Sequence, residues 1–385
     1  MQPALAVDTS AELLQALQQL AAADFVALDT EFMRESSYFP KPCLIQAATP
    51  DCCALIDPLR ITDLQPLWSF LQPRERIKVV HAARQDYEVL SIAMDGQALP
   101  GPVFDTQIAA ALLGYPAQIG YGALVMQRLG HSLAKGHTRT DWARRPLSEE
   151  QRQYAADDVR YLVPLFQDLH AALEASGRLA WLYEETRELE QAAMYRTDPQ
   201  AAWRRLKGLD RLRPAQRAAA KQLAQWREAA AIRHDKPRGW ILADEALREI
   251  AERLPASAQE LERLRTLPAG LLRRRGDEIL SLVEQAIAQA DDEAPTSLPA
   301  RPDPQQLAMV TKLMSLSRAR AEELKISAEL LATRRDIERL VYSGQAARLT
   351  SGWRREVIGA RLVALAHPGG TIDDGTGGSA PRSPP

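Results

Sequence analysis

The stretch FVALDTEF, Phe25–Phe32, limits what this chain can become more than any other. Four apolar residues run directly into Asp29 and Glu31, which are set one residue apart. Side chains alternate faces along a strand, so the two carboxylates share one face while Thr30 points to the other. Side by side at the edge of an apolar sheet, they repel each other and lose hydration, a cost that a cation relieves.

Three more short β-like runs follow: CLIQAAT (Cys43–Thr49), CCALIDP (Cys52–Pro58) and, after a helical interval, IKVVHAA (Ile77–Ala83). Amphipathic stretches lie around them, among them AELLQALQQLAAA (Ala11–Ala23) and YAADDVRYLVPLFQDLHAALEASG (Tyr154–Gly177). Strands close together at first and then alternating with helices predict an α/β domain, a mixed sheet covered by helices, ending near residue 195. After Thr197–Pro199 the pattern is helical throughout. Arg213–Ala290 is punctuated by HDKPRGW, LPAS and TLPAG, which predicts a bundle of four or five short helices. A Pro-rich break, Ala294–Pro304, leads to a second all-α segment, Gln305–Ala366, and then to a Gly/Pro/Ser-rich end expected to be disordered. The division expected is therefore 1–195, 212–292 and 304–367, with a tail at 368–385, and a length of 385 residues suits that number of domains.

Several function classes drop out. No apolar run approaches the roughly 20 residues of a membrane span. The N-terminus has no basic region before a hydrophobic one, so a cytoplasmic protein is expected. Cys43, Cys52 and Cys53 are an odd number without CxxC spacing or a His cluster, which argues against a disulfide framework and a zinc site. The overall charge of −2 hides a division, since residues 1–170 carry a net −6 and residues 211–290 a net +4.

Further acids complete the opening pair. VVHAARQDYEVL places Asp86 at the start of a helix just past the strand around Lys78–His81, and YAADDVRYL places Tyr154 and Asp158 one turn apart on one helix face. If the strands are neighbours and the late helix crosses them, Asp29, Glu31, Asp86 and Asp158 converge on one cleft. Four carboxylates without His or Cys make a hard oxygen site suited to Mg²⁺ or Mn²⁺. Too many acids for one ion suggests a pair, and two metals about 3.5–4 Å apart suit in-line attack on a phosphodiester. Tyr154 can orient the attacking water. Taken singly, each of these residues has a plainer reading as solvated acidity, a first-turn acid or an amphipathic surface; their order and spacing favour the site.

In that order and spacing, LDTEF, HAARQD and YAADDVRYL resemble the three motifs of the DEDD exonuclease superfamily, with the tyrosine form of the third, Y-x-x-x-D. FDTQIAAALLG (Phe104–Gly114) and KGHTRTDWARRPLSEEQRQYAADDVRYL (Lys135–Leu162) extend the resemblance to bacterial ribonuclease D, over residues 1–370. QLAQWREAAAIRHDKPRGWILADEALREIAERLPASAQEL resembles an HRDC domain, and Gln305–Ala366 a more divergent second copy. The resemblance implies an RNase H-like mixed sheet followed by two small helical bundles. It also implies a 3′–5′ exoribonuclease that releases nucleoside 5′-monophosphates and trims the 3′ ends of tRNA precursors. Asp29 would bridge the ions, Glu31 and Asp158 would complete one site, Asp86 would support the other, and Tyr154 would position the nucleophile. Thr30, Phe32 and Met33 would meet the terminal nucleotide, although Phe32 and Met33 also suit a core.

Other residues remain open. Asp105 suits a helix N-cap or a buttress of the site, and His81 suits strand-end packing or a local hydrogen bond rather than metal ligation. Lys135, Arg139, Arg144 and Arg145 surround Trp142, a mixture that suits phosphate contact and base stacking, or solvated loop charge. Trp226, Arg227, Arg233, Lys236 and Arg238, with Arg273–Arg275, suit RNA backbone binding or a solvated face. DNA as substrate and a non-catalytic RNA-binding scaffold are the competing readings. A monomer is expected, since no long coiled-coil seam is present.

Overall fold

The protein is described by a computed structural model covering residues 3–134, 136, 140–290 and 302–367. Lys135, Arg139 and the tail 368–385 lie outside the described residues. The chain forms two compact units, Met1–Ala109 with Ile119–Ala300, and Ala110–Gln118 with Arg301–Pro385.

In the first unit six strands form one mixed sheet. They are β1 (Leu5–Val7), β2 (Phe25–Met33), β3 (Lys41–Thr49), β4 (Cys52–Ile56), β5 (Ile77–Val80) and β6 (Val103–Asp105), in the order β1-β4-β3-β2-β5-β6. β2–β3 and β3–β4 pair antiparallel, while β1–β4, β2–β5 and β5–β6 pair parallel. The three-residue edge strands β1 and β6 are additions to the four runs expected. The acid-bearing β2 lies inside the sheet, flanked by β3 and β5, which fixes its register and therefore the face its carboxylates occupy.

Helices α1 (Ser10–Leu20), α2 (Gln65–Leu71) and α3 (Arg84–Ala93) bury Leu13, Leu67 and Leu90 in one core with Val26 and Leu28 of β2. α1 begins at a capping box in which Thr9 and Glu12 satisfy each other's backbone N–H groups. α4 (Thr106–Leu112) and α5 (Tyr121–Leu129) follow. The stretch Tyr154–Gly177 is two helices rather than one, α6 (Glu149–Arg160) and α7 (Leu162–Ala175), separated at Tyr161. Pro164 sits in the first turn of α7, where its missing N–H costs no helical bond. Phe166 of α7 packs on Phe25 and Phe104 at ring-centroid distances of 4.5 and 4.9 Å, covering the opposite sheet face. α8 (Leu179–Thr186) closes this part.

The helical module of the same unit holds α9 (Pro214–His234), α10 (Arg238–Ile241), α11 (Asp244–Arg253), α12 (Ala258–Glu262) and α13 (Ala269–Gln289). α9 and α13 run to 21 residues each, longer than the short helices expected, and enclose a core of Leu223, Leu247, Ile250, Ile279 and Val283. In the second unit α14 (Pro304–Leu324), α15 (Ala328–Leu331) and α16 (Arg334–Ser343) lead into shorter helical turns up to Ala366. Ala110–Gln118 belongs to this unit, and the Ser327 N–H donates to the Ala111 carbonyl at 2.8 Å.

Candidate active site

Each acid reaches the site for a local reason. β2 ends in Asp29, Thr30 and Glu31, and a β-bulge between Glu31 and Phe32 re-aims the residues that follow. Glu31, Phe32 and Met33 consequently all line one cleft of about 900 Å³, together with Asp29, Thr30, Arg34, Asp86, Trp142, Tyr154 and Asp158. α6 starts at a second capping box, Ser148 with Gln151, which sets the phase that turns Tyr154 and Asp158 toward β2.

Asp29, Glu31 and Asp158 each offer an oxygen within 4.8 Å of the others. Asp86 lines the same cleft, where its Oδ1 accepts from the Thr30 N–H at 3.1 Å and the Thr30 hydroxyl at 2.6 Å. Thr30 points away from Asp29 and Glu31, as its parity requires, and thereby holds the fourth carboxylate. The Tyr154 phenol donates to Asp158.

The electrostatics are those of crowded, desolvated anions. Burial, then the charges of Asp86, Asp158 and Glu31, hold the Asp29 carboxyl well above its usual range. Burial and the charges of Asp158 and Asp86 push Glu31 up to about 8. Asp158 is raised to about 7, chiefly by burial, with the Tyr154 hydrogen bond opposing. Asp86 is raised to about 6 by burial, with Thr30 opposing. Burial and these neighbouring anions push the Tyr154 phenol up as well, so it stays protonated at neutral pH.

Three residues left open by the sequence have definite partners in the structure. Asp105 accepts from the Gln107 N–H at 2.8 Å, as a cap does, but also from the N–H groups of Ala82 (3.1 Å) and Ala83 (2.9 Å). It thereby fixes the turn that launches α3 and Asp86. Ala82 sits at φ +57, a backbone that needs such holding. His81 is engaged at both ring nitrogens, by Thr106 Oγ1 at 2.9 Å and the Ile119 carbonyl at 3.1 Å, and burial lowers its pKa. Since a carbonyl only accepts, Nε2 carries a proton, while Nδ1 faces the Thr106 hydroxyl, which also donates to the Val80 carbonyl at 3.0 Å.

Arg145 serves neither as a phosphate contact nor as solvated charge. Its guanidinium forks onto Asp57 (2.5 and 3.0 Å) and reaches the carbonyls of Cys43 (2.6 Å) and Trp142 (2.7 Å). It pins the segment that carries the buried Trp142. Arg145→Ala leaves the buried Asp57 with only the Arg60 guanidinium, at 3.8 Å, and is expected to cost up to about 3 kcal/mol in urea unfolding. An unfolding midpoint equal to the parent's would show that the fork contributes nothing.

The proposed RNA-binding cations of the helical module are also partly committed to internal contacts. Arg227 is buried against Asp244 (2.5 Å) and the Leu242 carbonyl (3.0 Å), and Arg238 pairs with Glu228. The Trp226 indole donates to Glu278 at 2.6 Å.

Comparison with known proteins identifies the family. A family profile described as 3′-5′ exonuclease matches residues 5–174, and one described as HRDC domain matches residues 216–283. The chain is 37% identical over 364 residues to a ribonuclease D from Nitrobacter hamburgensis, covering 94% of each chain. It is 39% identical to one from Acidiphilium cryptum, covering 93% of this chain and 92% of the other. The crystal structure of Escherichia coli RNase D, described as an exoribonuclease involved in structured RNA processing, superimposes with a TM-score of 0.85 at 34% identity over 94% of this chain and 98% of that one. An exonuclease fold of this kind implies divalent metal ions. The residues present fit them, as all the clustered donors are carboxylate oxygens, the hard ligands that Mg²⁺ and Mn²⁺ take, and their mutual repulsion needs a cation. Matched along nearly its whole length by proteins of that name and by the architecture of one of them, the chain belongs to the ribonuclease D family, with an exonuclease domain followed by an HRDC domain.

Proposed function

We propose that this 3′–5′ exoribonuclease removes nucleoside 5′-monophosphates from RNA with a pair of divalent ions, Mg²⁺ or Mn²⁺, held by Asp29, Glu31, Asp158 and Asp86. The observation that carries the reading is the convergence of three carboxylates within 4.8 Å in a cleft that Asp86 also lines. When bound, the ions supply an activated water and neutralise charge on the departing oxygen.

The protein's own groups do the rest. Tyr154, protonated and one turn from Asp158, holds the attacking water in line, the role of the tyrosine form of the third motif. Thr30 keeps Asp86 oriented. Phe32, Met33 and Trp142 line the cleft and would receive the terminal nucleotide. The buried Trp142 indole N–H lacks a hydrogen-bond partner among the described residues. Lys135, assigned to the substrate phosphates, lies outside the described residues.

Tyr154→Phe is expected to lower kcat by about 10²-fold while leaving the metal concentration for half-maximal rate unchanged. A parallel shift of both would make the phenol a support for Asp158 instead.

The wider reading divides the chain at 1–195, 212–292 and 304–367, with the second helical segment a divergent HRDC copy. Precursors of tRNA are the substrates, and the protein acts as a cytoplasmic monomer. Among the described residues no helix is long and apolar enough to cross a membrane.

The test is digestion of matched RNA and DNA oligonucleotides, with 3′-hydroxyl or 3′-phosphate ends, with and without Mg²⁺. Metal-dependent release of mononucleotides from 3′-hydroxyl RNA is expected. Faster hydrolysis of DNA rejects the substrate assignment, and no turnover with metal leaves the scaffold reading.

A further inference from the structure

We propose that the helical module shapes the nucleolytic cleft directly, with Asp235 of the module as a positioning residue for the loop that leaves β2. The inference rests on the exoribonuclease activity above. It adds that the module acts even on a substrate that occupies the cleft alone.

Past the bulge, the chain runs through the cleft-lining residues Arg34 and Glu35 to Tyr38 and Phe39. The N–H groups of Tyr38 and Phe39 both donate to Asp235 Oδ1, at 2.9 and 3.0 Å. Asp235 ends α9 at φ +47, a left-handed conformation that Asp and Asn tolerate better than other side chains, so its carboxylate is presented from a fixed helix end.

The Tyr38 side chain is gripped as well. It is 4% exposed, its hydroxyl donates to Glu228, and the Arg238 guanidinium lies 4.9 Å from its ring centroid. Glu228, 1% exposed, is in turn held by Arg238 (2.5 and 2.9 Å) and Arg205 (2.9 Å). Glu228 is buried while both arginines reach solvent, so the network adds little net stability and serves to hold one arrangement.

That arrangement is passed back to the cleft. The Tyr38 carbonyl accepts from Arg34 Nε at 3.0 Å, and Arg34 Nη1 pairs with Glu88 at 3.0 Å, two residues beyond Asp86 on α3. One cleft-lining cation is therefore aimed by a contact that originates in the helical module and ends on the helix carrying a catalytic acid. Misplacement of a cleft wall by about 1 Å is enough to slow a positioned reaction up to about 10²-fold.

The experiment compares Asp235→Gly and Asp235→Asn with the parent. Glycine keeps the left-handed backbone and deletes the acceptor, whereas asparagine keeps both. Values of kcat/KM are measured on a ribodinucleotide, which fills the cleft alone, and on a long unstructured RNA, with folded protein verified by near-UV circular dichroism. D235G is expected to lose about tenfold or more on both substrates alike, and D235N to retain the parental rates.

A dinucleotide rate unchanged in D235G while long RNA slows would make the module a docking surface and overturn the proposal. So would equal losses in D235N and D235G. Should D235G not fold, Tyr38→Phe, which removes the hydroxyl bond to Glu228, is put through the same pair of substrates with the same expectation of equal slowing. A parent protein inert on both substrates with Mg²⁺ or Mn²⁺ overturns the underlying activity itself, which is distinguishable from any ratio between variants.

Discussion

Asp29→Asn is expected to abolish turnover and, in the absence of metal, to make the protein more stable. Asp29 is partly buried beside Asp86, Asp158 and Glu31, whose charges with its own desolvation hold its carboxyl far above the ordinary range. A neutral amide of the same shape relieves that repulsion, so the metal-free melting temperature should rise by about 2–4 °C for each kcal/mol released. The same change removes an oxygen from the proposed metal site. A loss of several kcal/mol of charge stabilisation corresponds to about 10³-fold or more in kcat. Side-by-side assays and metal-free melts check both halves. Full activity in the variant would place the chemistry elsewhere, and a lowered melting point would mean that the acids are not in conflict.

The second large effect is a coupling of metal, protons and stability. Without metal the folded protein retains protons on Glu31 to about pH 8, on Asp158 to about 7 and on Asp86 to about 6. In the unfolded chain these groups release protons near pH 4. Between those limits the folded state binds more protons than the unfolded state, so the contribution is complete below about pH 4 and is lost as pH rises through about 6 to 8. Mg²⁺ requires the deprotonated carboxylates and so competes with those protons. Its apparent affinity should rise by up to about tenfold per pH unit for each proton displaced across that window. The rise in melting temperature that Mg²⁺ produces should be small near pH 6 and large above pH 8. Calorimetric titration in two buffers of different ionisation enthalpy reads the released protons. A pH-independent Mg²⁺ effect would contradict the desolvated cluster.

The opening acids were legible because period-two alternation is a local property of one strand, and FVALDTEF carries it in full. The edge strands Leu5–Val7 and Val103–Asp105 were not, since three residues are too few to display a period. Tyr154–Gly177 looked continuous because the apolar stripe runs through the break, although Pro164 marks it. The partner of one loop cation was not legible either. Arg145 meets Asp57 across 88 positions, and no local pattern shows such a partner. Asp105 was half legible, since its cap on Gln107 is local but its grip on Ala82 and Ala83 spans the interval from β5 to β6.

Ala110–Gln118 and Arg301–Pro385 form one compact unit although nearly half of the chain separates them in sequence. During synthesis the first piece therefore leaves the ribosome well before the second exists. At about 5–20 residues per second the Ala111 carbonyl waits on the order of ten seconds or more for the Ser327 amide. A message cut short after the first helical module yields a polypeptide in which that wait never ends, so shortened forms of this enzyme should depend on chaperones more heavily than their length alone would suggest.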